Sequence, residues 1–231
     1  MGTLYSKKNG VWLMVSGGKK DPYNEALALV GIDKVDTLEA VLTNSDYCTA
    51  LAGNADAYAI MKDNYSADMT TAIDSGWNDG LNLLNYKCKL KCYLYKAGNT
   101  CDGVSGGWTV KWAAVLAGAV TSAKTNDSNT IYMMFNRDNG DGLYRDSCTA
   151  STKNSIDATG FSKISWVVTK ISGQGRKQMR YNTNNYSDGI TSTGTHSYTV
   201  KSGAQDFYWS NVPHSNVGTQ ECRISDVYLM P

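Results

Sequence analysis

Two short stretches of this chain bring together residue types that can grip an uncharged, hydroxyl-rich molecule. Tyr144 and Arg145 follow a glycine-rich turn, and Trp209, Asn211 and His214 stand where a run of apolar residues gives way to Pro213. An aromatic ring accepts the CH face of a sugar, while Arg, Asn or His at its edge reaches the hydroxyls. Both clusters are expected in loops at one end of a rigid scaffold, where side chains are free to recognise rather than to pack. Most of the other aromatics in the C-terminal half have to fill a core, Trp108 and Trp166 by context.

A second candidate chemistry is metal binding. Asn136, Asp138 and Asp141 place oxygen ligands at alternate positions with Gly140 and Gly142 for sharp turns, in the manner of a calcium loop. Arg137 intrudes and no Glu closes the loop, so a plain turn is the preferred reading and no cofactor is expected. Catalysis finds little support. The chain lacks HExxH and P-loop motifs, and a Ser–His–Asp set drawn from His196 or His214 has nothing to bring its members together. The expectation is a non-catalytic protein.

Composition points the same way. Of 231 residues, 19 are Asn, 21 Ser and 21 Thr, with 22 Gly, 15 Tyr and 3 Pro, which favours turns, hydroxyl-rich surfaces and β-structure. Lys plus Arg is 22 against 21 Asp plus Glu, a net charge of +1, so no electrostatic footprint for nucleic acid exists. No apolar run approaches the ~18 residues of a membrane span. Cys48, Cys88, Cys92, Cys101, Cys148 and Cys222 are read as free thiols, because a chain this long needs no staples and no apolar run follows the lysines of Met1–Lys8.

Three segments have to position these residues. Residues 1–23 hold two short strands flanking Asn9-Gly10, a two-residue hairpin signal. Residues 24–85 carry recurrent apolar pairs with Asp36-Thr37, Asn44, Asn54, Asn64 and Asp74-Ser75 as helix starts, hence a string of short helices. Helices this short are marginal alone and must pack on each other or on copies of themselves; the segment is expected to trimerise and its removal to leave a soluble monomeric sandwich, with one irregular helical domain of a monomer as the alternative. Residues 86–231 open with a strand over 86–95, in which Cys88, Leu90, Cys92 and Leu94 share one face and the lysines the other. Strands over 109–115, 130–135, 163–171, 176–182, 196–200, 205–210 and 222–229 follow, separated by turn clusters. The fold class is mainly β with an α-helical segment: an N-terminal β-hairpin, a short-helix oligomerisation region and a C-terminal antiparallel β-sandwich, jelly-roll or lectin-like.

The order of these parts resembles the tail-fibre or receptor-binding proteins of prophages from Gram-positive hosts. The likeness is carried by LYSKKNGVWLMV, by VDTLEAVLTNSDYCTALAGNADAYAIMKD, by the join LYKAGNTCDGVSGGW, by NSIDATGFSKISWVV and by the terminal RISDVYLMP. The resemblance implies a virion protein made in the host cytoplasm, attached by its N-terminal part to other tail or baseplate proteins. It further implies a homotrimer whose lectin-like sandwich meets a host cell-wall or surface glycan, with no nucleic-acid partner and no membrane insertion. A purely structural virion or appendage subunit, and an accessory carbohydrate-binding module of a polysaccharide-active enzyme, are the alternatives.

Overall fold

The computed structural model describes residues 4–8, 11–15, 22–65, 80–96, 108–113, 120–124, 130–137, 147–152, 154–173, 176–181, 185–186, 189–212 and 218–231. β1 (Leu4–Lys8) and β2 (Val11–Val15) pair antiparallel with Lys8 opposite Val11, the register a two-residue connection imposes.

Among the described residues five helices follow: α1 (Pro22–Leu29), α2 (Leu38–Thr43), α3 (Ser45–Gly53), α4 (Ala55–Tyr65) and α5 (Gly80–Lys87). Their starts obey the capping logic. Thr37 Oγ1 accepts from the Ala40 N–H at 3.2 Å, Asn44 Oδ1 from Asp46 and Tyr47, and Asn54 Oδ1 from Asp56 and Ala57. Asn64, expected to start a helix, lies in the last turn of α4, and Asp74-Ser75 falls outside the described residues. The Tyr58 hydroxyl donates to Asn85 Oδ1 and ties α4 to α5, and burial pushes that phenol up to about 12.

The stripes of these helices are spent inside the chain. Ala26, Leu27, Val41, Leu51, Ala57, Met61, Leu83 and Leu84 are all 0 % exposed. Short helices do need partners, but here they serve one another, so burial of these stripes supplies no reason for a second copy.

Two larger antiparallel sheets and one small pair follow among the described residues. The five-stranded sheet runs β11 (Asn185–Tyr186), β10 (Arg176–Tyr181), β14 (Phe207–Val212), β7 (Ser147–Thr152) and β4 (Trp108–Ala113). The larger sheet runs β12 (Gly194–Thr199), β9 (Lys163–Ser172), β15 (Gly218–Met230), β6 (Ile131–Arg137) and β5 (Val120–Lys124), with β3 (Cys92–Tyr95) also pairing β15. β8 (Ile156–Asp157) and β13 (Ala204–Gln205) make a small accessory pair. The sheets pack face to face: Trp166 of β9 meets Trp209 of β14 edge-on at 6.0 Å, within a core that includes Phe207, Met179, Ile164 and Ile224. The fold is mainly β, an antiparallel sandwich accompanied by helices.

The strand expected over 86–95 begins only at Cys92. α5 runs through Lys87, and Lys89, whose φ is 54°, then turns the chain, with the Leu90 N–H on the Asn85 carbonyl at 2.8 Å. Its alternating lysines mimicked period two, but Leu83 and Leu84 already commit the preceding turn to a helix. Cys88 therefore joins Cys48 in the helical core, while Cys92 enters the sheet. Cys48, Cys88, Cys92 and Cys222 are all free and buried.

The helices dock on the sandwich through α5. Asn82 Oδ1 accepts the Tyr93 N–H at 3.2 Å, and the Tyr86 ring stacks on Phe161 at 5.8 Å. The Tyr86 hydroxyl donates to the Asp157 carbonyl at 2.8 Å. Among the described residues no helix is long and apolar enough to cross a membrane.

Candidate functional site

Placement of the expected site residues comes first. Trp209 and Asn211 are both 0 % exposed, so neither can present itself to a ligand as expected. The physical reason is strand length: β14 continues through Val212, and alternation turns Phe207, Trp209 and Asn211 into the sandwich together. Asn211 Nδ2 donates to the carbonyls of Met133 and Gln220, each at 3.1 Å, and so staples one sheet to the other. Tyr144, Arg145 and His214 lie outside the described residues, as do Asp138 and Asp141; Asn136 stands on β6. Among the described residues no group of three His, Cys, Asp or Glu could hold a metal ion.

The surface that the fold does build lies on the outer face of the larger sheet, along β15. That strand turns Gln220, Cys222 and Ile224 inward, then Val227 and Leu229, so the inward set changes from even to odd numbers. A β-bulge between Ile224 and Asp226 makes the switch. The outward set is therefore Glu221, Arg223, Asp226, Tyr228 and Met230, a track of roughly 30 Å at ~3.3 Å per residue.

At one end of the track stands a braced ionic group. Arg223 lies opposite Tyr132 on β6 and Lys170 on β9. Its guanidinium carbon sits 3.8 Å from the centre of the Tyr132 ring. The Glu221 carboxylate takes Arg223 Nε at 2.5 Å and Lys170 Nζ at 2.7 Å, and the Glu221 side chain is only 4 % exposed. Burial by itself would raise this carboxyl. The hydrogen bonds and charges of Lys170 and Arg223 outweigh it and hold the group below its ordinary value. The same contact, with Glu221 first among its causes, pushes Arg223 further up.

At the other end the rings are partly open. Tyr93 of β3 faces Tyr228 of β15 in register, with ring centres 5.5 Å apart and planes tilted by 55°. Lys91 Nζ stands 4.1 Å from the Tyr228 centre. Between the two ends, Ser225 Oγ donates to Asp226 Oδ2 at 3.0 Å. The face thus alternates aromatic surface with fixed ionic and hydroxyl groups, the inventory needed to hold a polar ring with apolar faces.

Sequence reasoning did not single out Tyr93, Tyr132, Glu221, Arg223 and Tyr228 as a site. Its signal was present in ECRISDVYLM, whose apolar positions change parity at Ser225-Asp226. Deep in the sandwich, Lys177 is 2 % exposed, with Nζ donating to the Gly173 carbonyl at 3.1 Å; burial holds that amine below its ordinary value.

No family model matches the chain, and no curated protein matches it. Solved structures do overlap with it. A low-affinity xylan-binding module from Roseburia intestinalis is 9 % identical, with a TM-score of 0.32 over 53 % of this chain and 93 % of its own. A family 11 carbohydrate-binding module from Clostridium thermocellum, solved with a β-1,3-1,4-mixed-linked tetrasaccharide, is 13 % identical, with a TM-score of 0.32 over 58 % and 94 %. The secreted serine protease VesC from Vibrio cholerae is 8 % identical, with a TM-score of 0.35 over 54 % of this chain and 24 % of its own. None of these overlaps is close enough to assign a ligand or an activity to this chain.

Proposed function

We propose that the sandwich is a non-catalytic carbohydrate-binding module whose ligand lies along the outer face of β15. The observation that carries this is the partly open Tyr93–Tyr228 pair, continued along one strand by Asp226 and the braced Arg223–Glu221–Lys170 group. Sugars offer flat CH faces to rings and hydroxyls to fixed charges, and this face supplies both at strand spacing.

Within that reading the chain serves as a virion receptor-binding protein that meets host cell-surface carbohydrate. Residues 1–23 hold it to other tail proteins, and it forms a homotrimer. The order of its sequence segments supports this, whereas an accessory module of a polysaccharide-active enzyme would use the same face in the same way.

A glycan array probed with the full chain tests the binding. Saturable signal is expected, and Tyr93→Ala with Tyr228→Ala should weaken it by about 0.5–1.5 kcal/mol per ring while the fold is kept. An array without saturable signal refutes the module reading. Light scattering separates the two settings, because a monomer at micromolar concentration removes the fibre and leaves the accessory module.

A further inference from the structure

We infer that the glycan held on this face is a polyanion, whose carboxylate or phosphate groups meet ammonium groups at the C-terminal end of β15. This rests on the carbohydrate-binding reading and names the ligand class for the same site. The chain as a whole carries a net charge of only +1, yet Lys87, Lys89, Lys91 and Lys96 fall within one short stretch. β3 runs antiparallel to β15 with Cys92 opposite Leu229, so Lys91 comes level with Met230 and Lys89 lies just beyond the strand end.

Two of these ammonium groups are each shared between two rings. Lys91 Nζ stands 4.1 Å from the Tyr228 centre and 5.1 Å from that of Tyr93. Lys89 Nζ stands 4.9 Å from the centre of Tyr86 and 5.2 Å from that of Phe161. Lys96 Nζ adds a second cation 5.4 Å from Tyr93, and Lys87 Nζ lies 5.9 Å from Tyr86. A ring face attracts and positions an ammonium group but accepts no full set of hydrogen bonds, so its N–H donors remain for an outside acceptor.

Among the described residues none of the four forms a salt bridge. Asp157, which accepts the Thr159 N–H at 3.0 Å, also feels the charges of Lys89 and Lys87, and Asp226 lies further along the strand with Ser225, so the four cations outnumber these two carboxylates. The Glu221 end is different: its carboxylate is already matched by Lys170 and Arg223. A neutral sugar has no use for a row of ring-held cations. A polymer with repeating negative charge does, and it would lie along the same track.

Calorimetric titration of the full chain with polygalacturonate, poly(glycerol phosphate) and an uncharged galactan tests this. At least one of the two polyanions is expected to bind more tightly than the galactan and to weaken steeply between about 0.05 and 0.5 M NaCl as screening shortens. Which of the two binds names the carboxylate or the phosphate as the recognised group. Lys89→Gln with Lys91→Gln keeps the stems over the rings and should weaken polyanion binding roughly two- to fivefold per charge, with the melting temperature little changed. Lys91→Arg should restore most of the loss. Polyanion binding that the double variant leaves intact, or a galactan that binds as tightly as both polyanions, overturns the inference and leaves the module reading standing. If none of the three polymers binds, the module reading falls and takes the inference with it.

Discussion

Trp209 and Asn211 stand two residues apart on β14 and turn the same way, into the space between the sheets. The Trp209 ring meets Trp166 at 6.0 Å, and Asn211 supplies two hydrogen bonds across the sandwich. A fully buried Trp cut to Ala loses its transfer energy and leaves a cavity, so Trp209→Ala should destabilise the fold by about 3–5 kcal/mol. Urea denaturation measures this; a loss under 1 kcal/mol would return the ring to the surface. Glu221 gives a prediction in pH. Its folded pKa lies below the ordinary 4.5, so its contribution to stability is fully present above about pH 4.5 and is lost as pH falls through the lower folded value. The stability gap between the wild type and Glu221→Gln should therefore be constant above about pH 5.5 and shrink toward pH 3. A gap that stays constant down to acid pH means the carboxylate is not held by Lys170 and Arg223 in solution.

Among the elements, the short helices depend on their first turns. Asn44 and Asn54 each satisfy two backbone donors of the helix they open, at 2.9–3.2 Å. Asn44→Ala and Asn54→Ala should each cost about 1 kcal/mol, and Ser at either position should recover most of it. Thermal unfolding of the single variants decides this, and unchanged midpoints would mean that packing alone sets the helix starts. On β15 the controlling device is the bulge near Ser225. It lets one strand bury Cys222 and Ile224 at one end and Val227 and Leu229 at the other while keeping Arg223 and Tyr228 on a common outer face.

The helices and the sandwich share a continuous apolar core, linked through Leu84, Cys88, Cys92 and Leu94. The Tyr86–Phe161 stack and the Asn82–Tyr93 hydrogen bond close the joint from outside. Removal of residues 24–85 would uncover this seam, so the two layers should unfold as one cooperative unit. Thiol labelling reads this directly. Cys48 and Cys88 report on the helices, whereas Cys92 and Cys222 report on the sheet, where burial pushes both thiols up to about 12. All four should be shielded in the native state and should label with the same dependence on denaturant. Earlier labelling of Cys48 and Cys88 would show that the helical layer opens alone.

Local chemistry determined much of this protein. Asn9-Gly10 dictates the register of β1 and β2, Thr37, Asn44 and Asn54 open their helices, and alternation around Ile164, Trp166 and Val168 marks a buried strand face. Each of these is settled within a few residues, by the length of a connection, open N–H groups or the two-residue period of a strand. What tertiary structure decided is where elements stop and which side chains they conceal. The run from Tyr86 to Leu90 alternates like a strand, but Tyr86 stacks on Phe161 and Lys89 lies over the same ring, contacts with a residue more than seventy positions away along the chain. Trp209 looked like a residue at the end of its strand because β14 could not be seen to continue, and its burial needs Trp166 from the opposite sheet. The outer face of β15 was invisible for the same reason. Tyr93, Tyr132, Lys170 and Arg223 come from four strands, and only the pairing of β3, β6 and β9 around β15 makes them one surface.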